Sequence, residues 1–87
     1  PGAAPDLQTL AADGGADVWK DDTIEIWVRT SDNNLAYDQF IVNAAGARQQ
    51  VRGRPGGSEN PVPHFPAAAR VGEDHWSVEV LIPWAEI

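Results

Sequence analysis

From Thr23 to Arg29 polar and apolar residues alternate: Ile24, Ile26 and Val28 fall on one face of an extended segment, and Glu25, Trp27 and Arg29 on the other. The first face predicts a core contact. The second carries a large aromatic between charges of opposite sign, the composition of a surface that meets something. A second alternation over residues 36–43 sets Phe40 and Val42 against Tyr37, Gln39, Ile41 and Asn43. Between the two lies SDNN at residues 31–34, four turn-formers in a row, so an antiparallel hairpin is expected. Gly46, inside the NAAGA run at residues 43–47, supplies the positive φ of a tight turn into a short polar strand at residues 48–52.

Residues 53–66 hold Pro55, Pro61, Pro63 and Pro66 with three glycines, which reads as a long surface loop. Residues 67–71 form a brief strand and Gly72 to Asp74 turn the chain. The strand at residues 75–82 then places Trp76, Val78, Val80 and Ile82 on one face, and Pro83 ends it because proline cannot donate to a ladder. Residues 1–17, rich in Ala, Gly, Pro and Asp, read as a loop with at most one helical turn, anchored by Leu7 and Leu10.

Five short strands with turn signals between them and no helix predict an all-β fold, an antiparallel β-sandwich of jelly-roll type. A seven-stranded sandwich takes about 100 residues, so this 87-residue chain is expected to be a partial sandwich. It reads as a single domain over residues 1–87, truncated at both ends and relying on other strands or domains of a larger parent protein. A chain this short buries a small share of its surface, and without cysteine no disulfide can compensate, so modest stability is expected. The formal net charge of −7 argues against nucleic acid, whose phosphates require lysines and arginines. No apolar run approaches the ~20 residues of a membrane-spanning helix, so no membrane partner is expected.

The candidate chemistry gathers around VWKDDTIEIWV, residues 18–28, where Trp19 and Trp27 stand beside Asp21, Asp22 and Glu25. A pyranose presents an apolar C–H face and a rim of hydroxyls; it needs a flat aromatic for the first and carboxylates or amides for the second. Trp19, Glu25, Gln39 and Asn43 supply such a set, with Trp27 as a packed neighbour. Two plainer roles compete: Trp19 as a staple at the strand entrance, and Glu25 as half of a cross-strand ion pair with an arginine. Paired carboxylates also invite glycoside hydrolysis, but nothing in this spacing fixes the separation that chemistry requires, and no enzyme is expected. Trp76 and Trp84 read as core and edge packing, His64 and His75 as surface residues, and Arg48, Arg52 and Arg54 as a solvated strand edge. Oxygen-rich loops at residues 12–17 and 32–34 would suit a structural calcium, without a legible ligand set.

Taken together, VWKDDTIEIWV, YDQFIVNAAGA and HWSVEVLIPWAEI resemble, in order and spacing, carbohydrate-binding module family 9 and its DOMON-like relatives, β-sandwich modules of secreted polysaccharide-degrading enzymes. The resemblance implies non-catalytic sugar binding outside the cytoplasm, extracellular or periplasmic, with a mono- or oligosaccharide or the end of a polysaccharide as partner. It makes Trp19 one wall of an aromatic clamp, Glu25 a hydroxyl partner, and Gln39 and Asn43 polar contacts on the same face. Ile41 stands where the family pattern has an arginine, and the second wall of the clamp belongs to a region beyond this chain. A related haem-binding sandwich family uses an axial methionine, which this chain lacks.

Overall fold

A computed structural model describes residues 13–15, 17–29 and 36–87. The first regular element is a 3₁₀ turn at Val18–Lys20, ahead of the strand that the alternation from Thr23 predicts. Asp21 closes it, its N–H reaching the Val18 carbonyl at 3.0 Å. Six strands follow among the described residues: β1 (Thr23–Val28), β2 (Tyr37–Asn43), β3 (Arg48–Arg54), β4 (Gly57–Glu59), β5 (Ala67–Val71) and β6 (Trp76–Val80). β1 to β4 form one antiparallel sheet in sequence order, and β5 and β6 form a second. The protein is therefore all-β, a partial sandwich of two antiparallel sheets.

The hairpin connections follow local chemistry where they are described. Gly46 has φ +88°, and its N–H reaches the Asn43 carbonyl at 3.0 Å, as the sequence predicts for the β2–β3 turn. The SDNN segment lies outside the described residues. The stretch at residues 53–66 departs from expectation. β3 continues through Gly53 and Arg54, Pro55 and Gly56 turn the chain with Gly56 at φ +98°, and β4 pairs back with Arg54 opposite Gly57. Proline followed by a positive-φ glycine is turn chemistry, so this punctuation marks a hairpin inside what reads as one loop. The rest of the stretch is not all surface either, since Pro63 and Phe65 are buried.

One face of the four-stranded sheet packs against the second sheet. Phe40, Val42 and Phe65 are its buried centre, joined by Ile26, Val28, Val78, Val80, Ile82 and others. Phe40 and Phe65 meet edge to face with centroids 5.1 Å apart. Ile26 and Val28 pack inward as predicted, whereas Ile24, at the start of β1, is exposed and does not join the core. On β3 this face is polar, and its side chains tie down the covering segments. Gln50 accepts from the His64 N–H at 3.0 Å and donates to Glu86 at 2.9 Å, and Arg48 donates to the Phe65 carbonyl at 2.8 Å.

Arg48, Arg52 and Arg54 thus do not form a solvated edge. Arg48 also holds Asp13 through both carboxylate oxygens, at 2.9 Å each. Arg52 and Arg54 approach the buried Asp38 at 3.6 and 3.5 Å, and only Arg54 is itself exposed. The buried carboxylate accounts for this arrangement, because a charge removed from water needs a countercharge beside it. Trp76 is half-buried, but Trp84, expected to pack at an edge, is 88% exposed on a second short 3₁₀ turn, Trp84–Glu86.

Candidate functional site

The opposite face of the same sheet carries the residues singled out by the sequence. Glu25 pairs with Ile41, which pairs with Gln49; Trp27 pairs with Gln39, which pairs with Val51. Strand alternation therefore sets Glu25, Gln39 and Gln49 around an apolar floor of Ile41 and Val51. Val18 descends from the first 3₁₀ turn and packs against Ile41 and Val51, fully buried. The next residue, Trp19, must then project elsewhere, and its indole is 54% exposed. Burying Val18 thus holds Trp19 over the sheet.

Trp19, Glu25, Gln39 and Gln49 line a hollow of about 310 Å³, closed on the far side by Ser58 of β4 and by Asn60. Side-chain amides join its parts. Gln39 Nε2 donates to Glu25 Oε1, so Glu25 pairs with an amide and not with an arginine in this contact. Gln49 Oε1 accepts the Trp19 backbone N–H at 3.2 Å while Gln49 Nε2 donates to Asn60 Oδ1 at 2.7 Å. A single buried glutamine therefore links the aromatic side of the hollow to its polar side. Lys20, paired with Asp17 at 3.3 Å, lies over the Trp19 ring with Nζ 5.7 Å from the centroid.

Two expected site residues lie elsewhere. Asn43 is fully buried; its Oδ1 accepts the N–H groups of Ala45 and Ala47 at 3.0 and 2.8 Å, and its Nδ2 donates to Asp21 at 3.1 Å. Every one of those bonds serves the β2–β3 turn and the link to the first 3₁₀ turn, and Asn43 is not part of the hollow's lining. Trp27 is 60% exposed and leans on Tyr37, with centroids 5.2 Å apart, so it extends the face beyond the hollow. Tyr37 in turn covers Gly53 so closely that a Cβ there would lie 2.0 Å from the ring.

Gln49, Ser58 and Asn60 were not singled out from sequence. Gln49 is separable in principle: it shares alternation with Val51, which places it on the floor's face while Arg48 and Gln50 point the other way. Of the calcium loops, residues 32–34 lie outside the described residues. In the other, Asp13 is engaged by Arg48, whose guanidinium holds its carboxyl below the usual range, and Asp17 by Lys20. Among the described residues no group of three or more acidic or histidine side chains is placed to hold a metal. No family model, curated protein or solved structure matches this chain.

Proposed function

We propose that the protein is a non-catalytic carbohydrate-binding domain whose ligand sits in the hollow beside Trp19. The observation that carries this reading is an exposed indole standing next to a carboxylate and three amides in one concavity. An indole offers a flat apolar platform for the C–H face of a pyranose; Glu25, Gln39 and Asn60 offer acceptors and donors to its hydroxyls. Lys20 lies over the ring, so the sugar stacks on the face that Lys20 leaves open. Four contacts of about 1 kcal/mol each correspond to a dissociation constant of roughly 1 mM. The partner is a mono- or oligosaccharide or a polysaccharide end, and the location that goes with it is extracellular or periplasmic.

A structural or inter-domain sandwich with no ligand of its own is favoured by a different observation: Val62, Leu81 and Trp84 are all exposed, as residues that meet another domain would be. One titration separates the two. Glucose, xylose, cellobiose and xylobiose are added while tryptophan fluorescence and amide NMR shifts are followed, with Trp19→Ala as control because the chain has four tryptophans. Sugar binding predicts a millimolar response that Trp19→Ala removes. Silence from all four sugars at several hundred millimolar rejects the binding reading and leaves the structural one.

A further inference from the structure

The sheet order puts Glu25 on β1 and Ser58 on β4, with the Ile41 and Val51 floor on the two strands between. Three interstrand spacings of about 4.8 Å, about 14 Å in all, separate those strands, and the register sets Ser58, opposite Gly53, four residues along from the Ile41–Gln49 pair beside Glu25, so the two sides face each other diagonally across the hollow. The two sides differ in chemistry. The Glu25 side mainly accepts, because a carboxylate has no proton to give and one hydrogen of the neighbouring Gln39 amide is already donated to it. Across the floor, Asn60 has its Oδ1 taken by Gln49, which leaves the Nδ2 hydrogens for a ligand, and the Ser58 hydroxyl donates as readily as it accepts.

Among the described residues no cationic side chain lines this hollow; Lys20, over the Trp19 ring, is outside the lining and is paired with Asp17, and the formal net charge of the chain is −7. Hydroxyl groups satisfy both sides at once, donating to Glu25 and accepting from Asn60 and Ser58. A ligand carboxylate finds its donors mainly on the Asn60 and Ser58 side, with Glu25, a charge of its own sign, across the hollow. We infer that Ser58 and Asn60 are the ligand-contacting residues opposite Trp19 and Glu25, and that the hollow selects a neutral pyranose over the corresponding uronic acid. This rests on the reading of the hollow as a sugar site. Gln49 is a positioning residue in this scheme, holding Trp19 and Asn60 at a fixed separation through its two amide bonds.

The test uses matched ligands in the gluco and galacto series: the methyl glycoside, its uronic acid, and the uncharged uronamide of nearly the same size. Each is titrated by fluorescence and amide NMR into the wild-type protein, Ser58→Ala and Asn60→Ala; both side chains are exposed, and because Asn60→Ala also takes the acceptor from Gln49 Nε2, the ligand-free amide spectrum checks that each variant keeps the sheet and the Trp19 turn in place. The neutral glycoside and the uronamide are expected to bind alike in at least one series, and the uronic acid about fivefold more weakly. Each variant is expected to weaken the glycoside about fivefold, the equivalent of one hydrogen bond. If the wild type binds the glycoside but both variants bind it equally well, or if the uronic acid binds as tightly as its amide, the inference is wrong and the sugar site survives. If no neutral glycoside binds the wild type in either series, both readings fall together.

Discussion

The two faces of the four-stranded sheet are built from the same strands, yet they bury different things. On the covered face, Phe40 and Val42 meet Phe65 and the β5–β6 hairpin, and the polar groups of β3 are spent on holding neighbouring backbone in place. On the other face the apolar cluster shrinks to Val18, Ile41 and Val51 with partly buried neighbours, and amides surround it. The contrast puts most of the apolar burial on one face and leaves the proposed binding hollow on the other. It also explains how a small chain without disulfides presents a tryptophan to solvent: the covered face carries most of the hydrophobic burial, and Val18, with the hydrogen bonds between Trp19 and Gln49 and between Asn43 and Asp21, anchors the turn that carries Trp19.

The strongest way to break this division is Phe40→Ala. The side chain is fully buried and makes the edge-to-face contact with Phe65, so the expected cost is about 4 kcal/mol, a large share of the stability of any small domain. Urea unfolding followed by circular dichroism should show the midpoint falling steeply or the cooperative transition lost. Trp19→Ala, half-exposed on the other face, should move the same midpoint little. Comparable losses from the two substitutions would mean that stability is shared between the faces.

Gly53→Ala tests the open face's own packing. Its Cβ would enter the Tyr37 ring, and the expected cost is about 3 kcal/mol, the upper end for overpacking. In a Tyr37→Ala background the obstacle is gone and the penalty should largely vanish, giving a coupling energy of about 2 kcal/mol in a double-mutant cycle. An equal penalty in both backgrounds would assign it to the β3 backbone and not to the aromatic ring.

How much of this was legible before the structure depended on whether local chemistry or register carried the information. The alternation of β1 and β2 shows in the sequence because side chains on a strand repeat every second residue, and Phe40 and Val42 fall on the covered face as read. Gly46 is legible because a positive φ has few suppliers. β4 is not, since three residues between a proline–glycine turn and a proline-rich segment leave no period to detect. Phe65 is hidden for the same reason. Within the site, Trp19 and Glu25 announce themselves as an aromatic beside an acid, whereas Gln49 and Asn60 acquire meaning only once cross-strand register brings them beside those two. Asn43 shows the converse hazard, because polar alternation alone cannot tell an amide facing a ligand from one that closes a turn.

That last distinction can be measured. Asn43→Ala leaves the N–H groups of Ala45 and Ala47 without their acceptor and removes the bond to Asp21, so a loss of about 2 kcal/mol is expected. Under conditions where the variant is still folded, its response to sugar should match the wild type, because Asn43 is not among the residues lining the hollow. A folded Asn43→Ala protein that no longer responds would return Asn43 to the binding site.

The smallest expected effect lies at the seam between the two faces. Asp13 is bonded by the Arg48 side chain and backbone N–H, and Arg48 reaches from there to the Phe65 carbonyl under the covered face. The side-chain hydrogen bonds from Arg48 hold the Asp13 carboxyl below its ordinary range, with burial opposing. Because the folded value is depressed, the unfolded chain binds the proton more readily. The stabilisation is therefore complete above the ordinary carboxylate value of about 3.9 and is lost as pH falls through the lower folded value. The Asp13 side chain is 50% exposed, so solvent screening limits the contribution to about 1 kcal/mol or less. The urea-derived stabilities of wild type and Asp13→Asn should differ by that amount at pH 6 and converge as pH falls below about 4. Arg48 stays protonated throughout, its own pKa raised by Asp13, and so adds no slope in acid. If the two curves run parallel across the whole window, the carboxylate contributes nothing that depends on charge. The seam would then be held by backbone bonds such as that from the Gly14 N–H to the Arg48 carbonyl, which pH leaves unchanged.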